Sequence, residues 1–167
     1  LESMEEEGLV LCVHGEDPES PVLSREQRFL PLIEEIVKRF PGLRLVFEHV
    51  STKDAVDLVK DLPQNVAATV TVHHLLFTLE DMMASGFVPG LYCKPVVKTA
   101  SDREAIQQVV LEGHPRFFFG SDSAPHPVAA KSKAPVASGV YSAPVAIPLL
   151  IEFFDTRGAV EKLENFV

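Results

Sequence analysis

Four strand-sized apolar runs in this chain each stop on a histidine or an acid. Leu9–Val13 leads into His14-Gly15-Glu16, Leu43–Phe47 into Glu48-His49, and Val66–Val72 into His73-His74. Arg116–Phe119 leads into Gly120-Ser121-Asp122-Ser123-Ala124-Pro125-His126. Imidazole nitrogens and carboxylate oxygens are ordinary zinc donors, and a catalytic zinc keeps one position open for water. Water held that way has its pKa brought down to about 7, which supplies hydroxide at neutral pH. If these strand ends share one rim, His14, His49 and Asp122 form a candidate metal set for hydrolytic chemistry.

Each of these residues also has a plainer reading. A single histidine after a strand is more often a satisfied structural group than a ligand, so it is the recurrence at successive strand ends that carries weight. Asp122 fits a turn cap, although a carboxylate directly after Phe117-Phe118-Phe119 is costly to bury without a cation or donors. His126, on a proline-flanked loop, fits an exposed surface position. His73 and His74 are adjacent and would face opposite sides of an extended backbone; His74 is the one assigned toward the site. Lys94 precedes Pro95, which favours extended backbone, and is by default solvated. Glu16 and Glu48 read as groups behind the ligands or at the core edge. His114, in Gly113-His114-Pro115, reads as turn chemistry.

The elements that would position these residues alternate. Ser24 is a candidate cap, with Gln27 in the capping-box position, for a helix running to about Phe40. That helix puts Phe29, Ile33, Ile36 and Val37 on one face. Ser51 or Thr52 caps a second helix burying Ala55, Val56, Leu58 and Val59. Leu75 to Met83 reads as short irregular helix, Gly90 to Cys93 as a further short strand, and Ser101 as the cap of a helix over 102–112. Pro144 to Phe154 reads as a helix that Pro148 kinks or starts. Strand–helix alternation implies parallel βαβ units. Five such strands fit either a doubly wound sheet or most of a (β/α)8 barrel, and a whole barrel needs about 250 residues. Gly-x-Gly-x-x-Gly and the P-loop pattern are absent, which lowers the nucleotide-binding versions of these folds.

Composition removes other classes. The 167 residues are 46% hydrophobic and 23% charged, a globular balance. A formal net charge of −9 with scattered basic residues argues against nucleic acid. No apolar run is long enough for a bilayer, so a membrane role is not expected. The two cysteines, Cys12 and Cys93, sit in strand-like surroundings and are expected to be buried free thiols in a reducing, cytoplasmic compartment. The first and last residues both fall in helical patterns, so an internal piece of a longer protein is expected, with the whole chain as a single domain.

Five segments together resemble the monofunctional dihydroorotases of pyrimidine biosynthesis. They are Leu11–Glu16, Val46–Ala55, Ala68–Leu75, Tyr92–Lys98 and Phe118–His126, in matching order and spacing across nearly the whole chain. The phrase Gly-Ser-Asp-Ser-Ala-Pro-His is the specific one; His-Gly-Glu alone is weak. The resemblance implies a partial (β/α)8 TIM barrel of the metal-dependent hydrolase type, made of its central and later βα units. It implies a two-zinc enzyme that interconverts N-carbamoyl-L-aspartate and (S)-dihydroorotate, a small-molecule substrate. On that resemblance His14 and His49 hold one zinc, and Asp122 ligates the other and shuttles the proton. His126 and the main chain of Lys94 and Ser138 bind substrate. The family's His-x-His pair, its neighbouring arginine and its carboxylated bridging lysine have no counterpart in these residues. Members are often homodimers, and no residue here marks an interface. Three other readings stay open: a hydantoinase or other amidohydrolase, an inactive dihydroorotase-like domain serving as a scaffold, and a plain α/β domain with no metal.

Overall fold

The computed structural model describes residues 1–167. Four strands form one parallel sheet: β1 (Val10–Val13), β2 (Arg44–Phe47), β3 (Val66–Val70) and β4 (Phe117–Phe119). Their order in space is their order in the chain. A doubly wound sheet reverses direction at a switch point; this one does not, which is the winding of a barrel segment.

The helices, in chain order, are α1 (Glu2–Glu6), α2 (Arg25–Arg39), α3 (Lys53–Asp61), α4 (Val72–Leu76), α5 (Leu79–Met83), α6 (Ala100–Leu111), α7 (Val128–Lys131), α8 (Ala146–Asp155) and α9 (Leu163–Phe166). No helix is long and apolar enough to cross a membrane. Their apolar stripes close on one side of the sheet. Ile33 and Val37 of α2, Val56 and Val59 of α3, and Ile106 and Val110 of α6 pack with Leu45, Phe47, Val66, Ala68, Val70 and Phe117 in one buried cluster. Removing this much apolar surface from water is the main force holding the helices on the sheet. Phe29 and Ile36 of the expected α2 face are only half-buried.

Several local expectations are corrected. There are four strands, not five. Around Gly90–Cys93 the amides of Leu91 and Tyr92 turn back to Val88 and Pro89, making a 3-10 turn over Pro89–Leu91, so they are not free for a ladder. Ser24 precedes α2 but does not cap it, since its hydroxyl donates to the Pro21 carbonyl. The cap of α6 is Thr99, not Ser101. The Thr99 hydroxyl accepts from the Asp102 amide, and the Asp102 carboxylate accepts from the Thr99 amide. Thr52 caps α3 as expected. Pro148 lies in the first turn of α8, where a missing N–H costs nothing. Cys93 is buried, but Cys12 is exposed, because it points to the face of β1 opposite Leu11 and Val13, which pack on the core.

Candidate metal centre

Parallel strands in sequential order put every C-terminal strand end on one rim. His14 follows β1, and His49 follows β2 after Glu48. The Glu48 amide donates to the Val13 carbonyl at 3.0 Å, which extends the β1–β2 ladder past both strand ends. The result is that His14 Nδ1 and His49 Nε2 face each other at 3.0 Å, across 35 residues of sequence. The rings meet edge to face with centroids 4.8 Å apart. A tetrahedral zinc with Zn–N of about 2.0–2.1 Å holds two nitrogens roughly 3.3 Å apart. The pair is therefore close to the spacing that one cation requires.

The outer nitrogen of His14 is also occupied. Its Nε2 lies 3.2 Å from Glu16 Oε2. A carboxylate on the far nitrogen of a ligating imidazole fixes its tautomer and orientation. Burial favours the neutral form of Glu16, but the His14 hydrogen bond and the charge of Lys98 outweigh it, holding Glu16 below the usual carboxylate range. His14 itself stays exposed, open to a ligand from the rim.

The glycine between these two residues is required. A Cβ on Gly15 would lie 2.2 Å from the Phe47 ring, so any side chain there would displace the β2 core residue just before Glu48 and His49. At the other strand ends the backbone is bent. His49 (φ 40°) and Asp122 (φ 36°) are the only non-glycine residues in left-handed conformation. Such backbone costs of order 1 kcal/mol or more and persists where surroundings enforce it, often at functional sites. Both residues belong to the candidate ligand set.

Burial and the adjacent His14 hold the His49 imidazole below its usual range, while the Asp122 charge pulls the other way. Asp122 is exposed, so the burial argument applied to its sequence position does not hold. Its loop is tied down instead by Ser123, whose hydroxyl accepts from the amides of Ser142 (3.1 Å) and Ala143 (2.9 Å).

The expected substrate-binding groups also meet. His126 Nε2 lies 2.9 Å from the Ser138 carbonyl. The Gly139 amide donates to the Tyr92 carbonyl at 2.8 Å, bringing the Tyr92–Lys94 segment beside Ser138. Lys131 closes the same junction. Its ammonium donates to the carbonyls of Tyr92 (3.1 Å), Ala137 (3.0 Å) and Gly139 (2.7 Å), spending all three protons on backbone. Lys94 is exposed, as expected, ahead of Pro95.

His73 and His74 are not in extended backbone; both lie in α4, capped by Thr71, and both are buried. With Cys93 they bring three ligand-type atoms within 4.8 Å. The chemistry of this second cluster is that of packed groups. His74 Nδ1 is 2.8 Å from Thr71 Oγ1, and its Nε2 is 2.9 Å from the Pro95 carbonyl. The Cys93 thiol donates to the same carbonyl, and burial pushes it up to about 11. His74 therefore supports the Pro95 segment rather than the His14–His49 pair. Glu48 is linked to the pair only indirectly. The Thr69 hydroxyl donates to Glu48 at 2.6 Å and accepts from the His49 amide at 2.6 Å.

Nothing local in the sequence points to Thr69 or Lys131, because their partners lie on other elements. The signal for Glu16 is its place two residues after His14.

No family model matches the chain. It is 44% identical to a dihydroorotase of Alkalilimnicola ehrlichii over 169 aligned residues, covering 99% of this chain and 49% of that one. A solved dihydroorotase of Saccharomyces cerevisiae, in complex with 5-fluoroorotic acid, superposes with TM-score 0.93 at 38% identity. It covers 99% of this chain and 50% of that one. An L-hydantoinase of Arthrobacter aurescens gives TM-score 0.83 at 20% identity, a likeness of fold alone. The chain spans about half the length of the relatives it matches.

Proposed function

This chain belongs to the dihydroorotase family across the half of those proteins that it spans, and we propose that it supplies part of a zinc-dependent site for cyclic amide hydrolysis. The reaction is the reversible interconversion of (S)-dihydroorotate and N-carbamoyl-L-aspartate in pyrimidine biosynthesis. The observation that carries this reading is the meeting of His14 Nδ1 and His49 Nε2 at 3.0 Å.

His14, His49 and Asp122 would hold metal, with Glu16 orienting His14. Bound zinc supplies a water acidified to a pKa near 7 and polarises the amide carbonyl. Asp122 takes the proton from the attacking water and hands it to the leaving amide nitrogen. Asp122 is exposed at the rim, where a substrate can reach its carboxylate. The backbone at Lys94 and Ser138 holds the ring and its carboxylate by hydrogen bonds. His126 assists: its Nε2 on the Ser138 carbonyl holds the ring beside that backbone. The relative solved with 5-fluoroorotic acid makes that compound the natural probe for this half of the pocket.

The test is Asp122→Asn in the full-length protein, assayed on dihydroorotate and, as a control, on a hydantoin. Turnover of dihydroorotate by the wild type, lost in the variant with circular dichroism unchanged, is the expected result. Near-normal turnover in Asp122→Asn refutes the proton-transfer role. Preference for the hydantoin refutes the substrate, and no turnover by the wild type supports a scaffold in place of an enzyme.

A further inference from the structure

The buried carboxylate of Glu26 is the one acid in the molecule with no exposed surface, at 0%. It stands in the first turn of α2, where an acid is ordinarily solvated and interacts only with the helix end. Here it points inward to the segment just after His49. It accepts from the Ser51 amide (2.9 Å) and hydroxyl (2.7 Å), and from the Thr52 amide (2.8 Å) and hydroxyl (2.6 Å). Four donors on two consecutive residues thus converge on one carboxylate. Burying a carboxylate without partners is prohibitive, and charge-assisted bonds of this length are the strong kind. Burial pushes the Glu26 carboxyl above its usual range against the pull of these donors, and Lys98, itself buried, adds a favourable charge to both Glu26 and Glu16.

The geometry on the other side of His49 completes the argument. The His49 amide is held by Thr69 Oγ1, and the Val50 amide by the Thr69 carbonyl at 3.1 Å. Thr52 Oγ1, while donating to Glu26, accepts from the Ala55 amide at 3.2 Å and so starts α3. His49 lies between these two anchors with φ at 40°, a conformation that relaxes unless both ends are fixed. We propose that Glu26 is a positioning residue for His49: by gripping Ser51 and Thr52 it holds the left-handed turn that aims His49 Nε2 at His14 Nδ1. This rests on the reading of His14 and His49 as a metal pair. Glu26 touches neither metal nor substrate.

The experiment compares the wild type, Glu26→Gln, Ile33→Val and His49→Ala in the full-length protein. Ile33→Val is a core change on the same helix with a cost of about 0.5–1.5 kcal/mol. Two readouts are taken: zinc affinity by competition with a chelator, and NMR of the His49 ring with amide exchange at Ser51 and Thr52. Glu26→Gln is expected to weaken zinc about 10-fold or more, the usual effect of losing an outer-shell partner. It should also speed exchange at both amides and shift the His49 ring signals. Ile33→Val should leave all of these as in the wild type. Unchanged His49 signals and unchanged exchange in Glu26→Gln overturn the proposal whatever zinc does. So does an equal loss of zinc affinity in Ile33→Val, which would make the effect one of general stability. If His49→Ala binds zinc as the wild type does, the ligand assignment fails instead, and the NMR readout alone decides for Glu26. Should Glu26→Gln not fold, Ser51→Ala removes one of the four donors, the Ser51 hydroxyl, and is read by the same criteria at smaller amplitude.

Discussion

Replacing His73 by leucine should flatten the acid side of the stability profile. His73 is 1% exposed, and neither ring nitrogen has a hydrogen-bond partner. Burial first, and then the neighbouring His49, push its imidazole down to about 4 from an ordinary 6.5. The folded protein therefore refuses a proton that the unfolded chain accepts once pH falls below about 6.5. Stability is full above that value and is lost as pH drops toward 4. Proton linkage puts the total near 3 kcal/mol, with roughly 2 kcal/mol of it between pH 7 and pH 5. His73→Leu deletes this term. It also removes two unpaired buried nitrogens, each of which costs about 1–3 kcal/mol, so the variant should be at least as stable as the wild type at pH 7. The assay is urea unfolding of both proteins at pH 7 and pH 5 at constant ionic strength. Burial holds His49 and His74 below their usual range in both proteins, and His73 itself also lowers His74, so its removal eases the acid-side loss in the same direction. The wild type should lose about 2 kcal/mol more than the variant between the two pH values. Equal losses would show that His73 keeps an ordinary affinity for protons, and the reasoning from its burial would fail.

Two further outcomes follow from close contacts. Gly15→Ala must push the Phe47 ring aside from 2.2 Å, and overpacking of this kind costs about 1–3 kcal/mol; urea unfolding should show that loss, and zinc binding by His14 and His49 should fall with it. Lys131→Met keeps the length of the side chain and removes the three bonds to Tyr92, Ala137 and Gly139. It should weaken 5-fluoroorotate binding several-fold while leaving zinc affinity at the wild-type value, both read by calorimetry. A parallel loss of zinc would mean that Lys131 supports the whole rim rather than the ring-binding junction.

Much of this arrangement was legible in the chain because strand ends are marked by chemistry as well as by hydropathy. His14, His49 and Asp122 each follow an apolar run, and the sequential parallel order puts those ends together. The departures have local causes. Thr99 with Asp102 and Ser101 with Glu104 offer the same capping spacing two residues apart, so the sequence pattern alone does not choose between them. Tyr92 and Cys93 have strand-forming side chains, yet their neighbours Pro89 and Pro95 leave no regular ladder to join. His73 and His74 read as extended because Val66–Val72 is β-branched, but the Thr71 hydroxyl caps a helical turn there. Glu26 was hidden for a different reason. Its partners are 25 and 26 residues away, and an acid in the first turn of a helix already has a sufficient explanation.

The one-directional winding of the sheet has an evolutionary corollary. Each candidate donor is delivered by its own strand–helix unit: His14 by the first, His49 by the second and Asp122 by the fourth. Lengthening one rim loop therefore shifts a single donor and leaves the others in register. The rim can drift one loop at a time, while the hydrophobic wall beneath, shared by every unit, has to be kept as a whole.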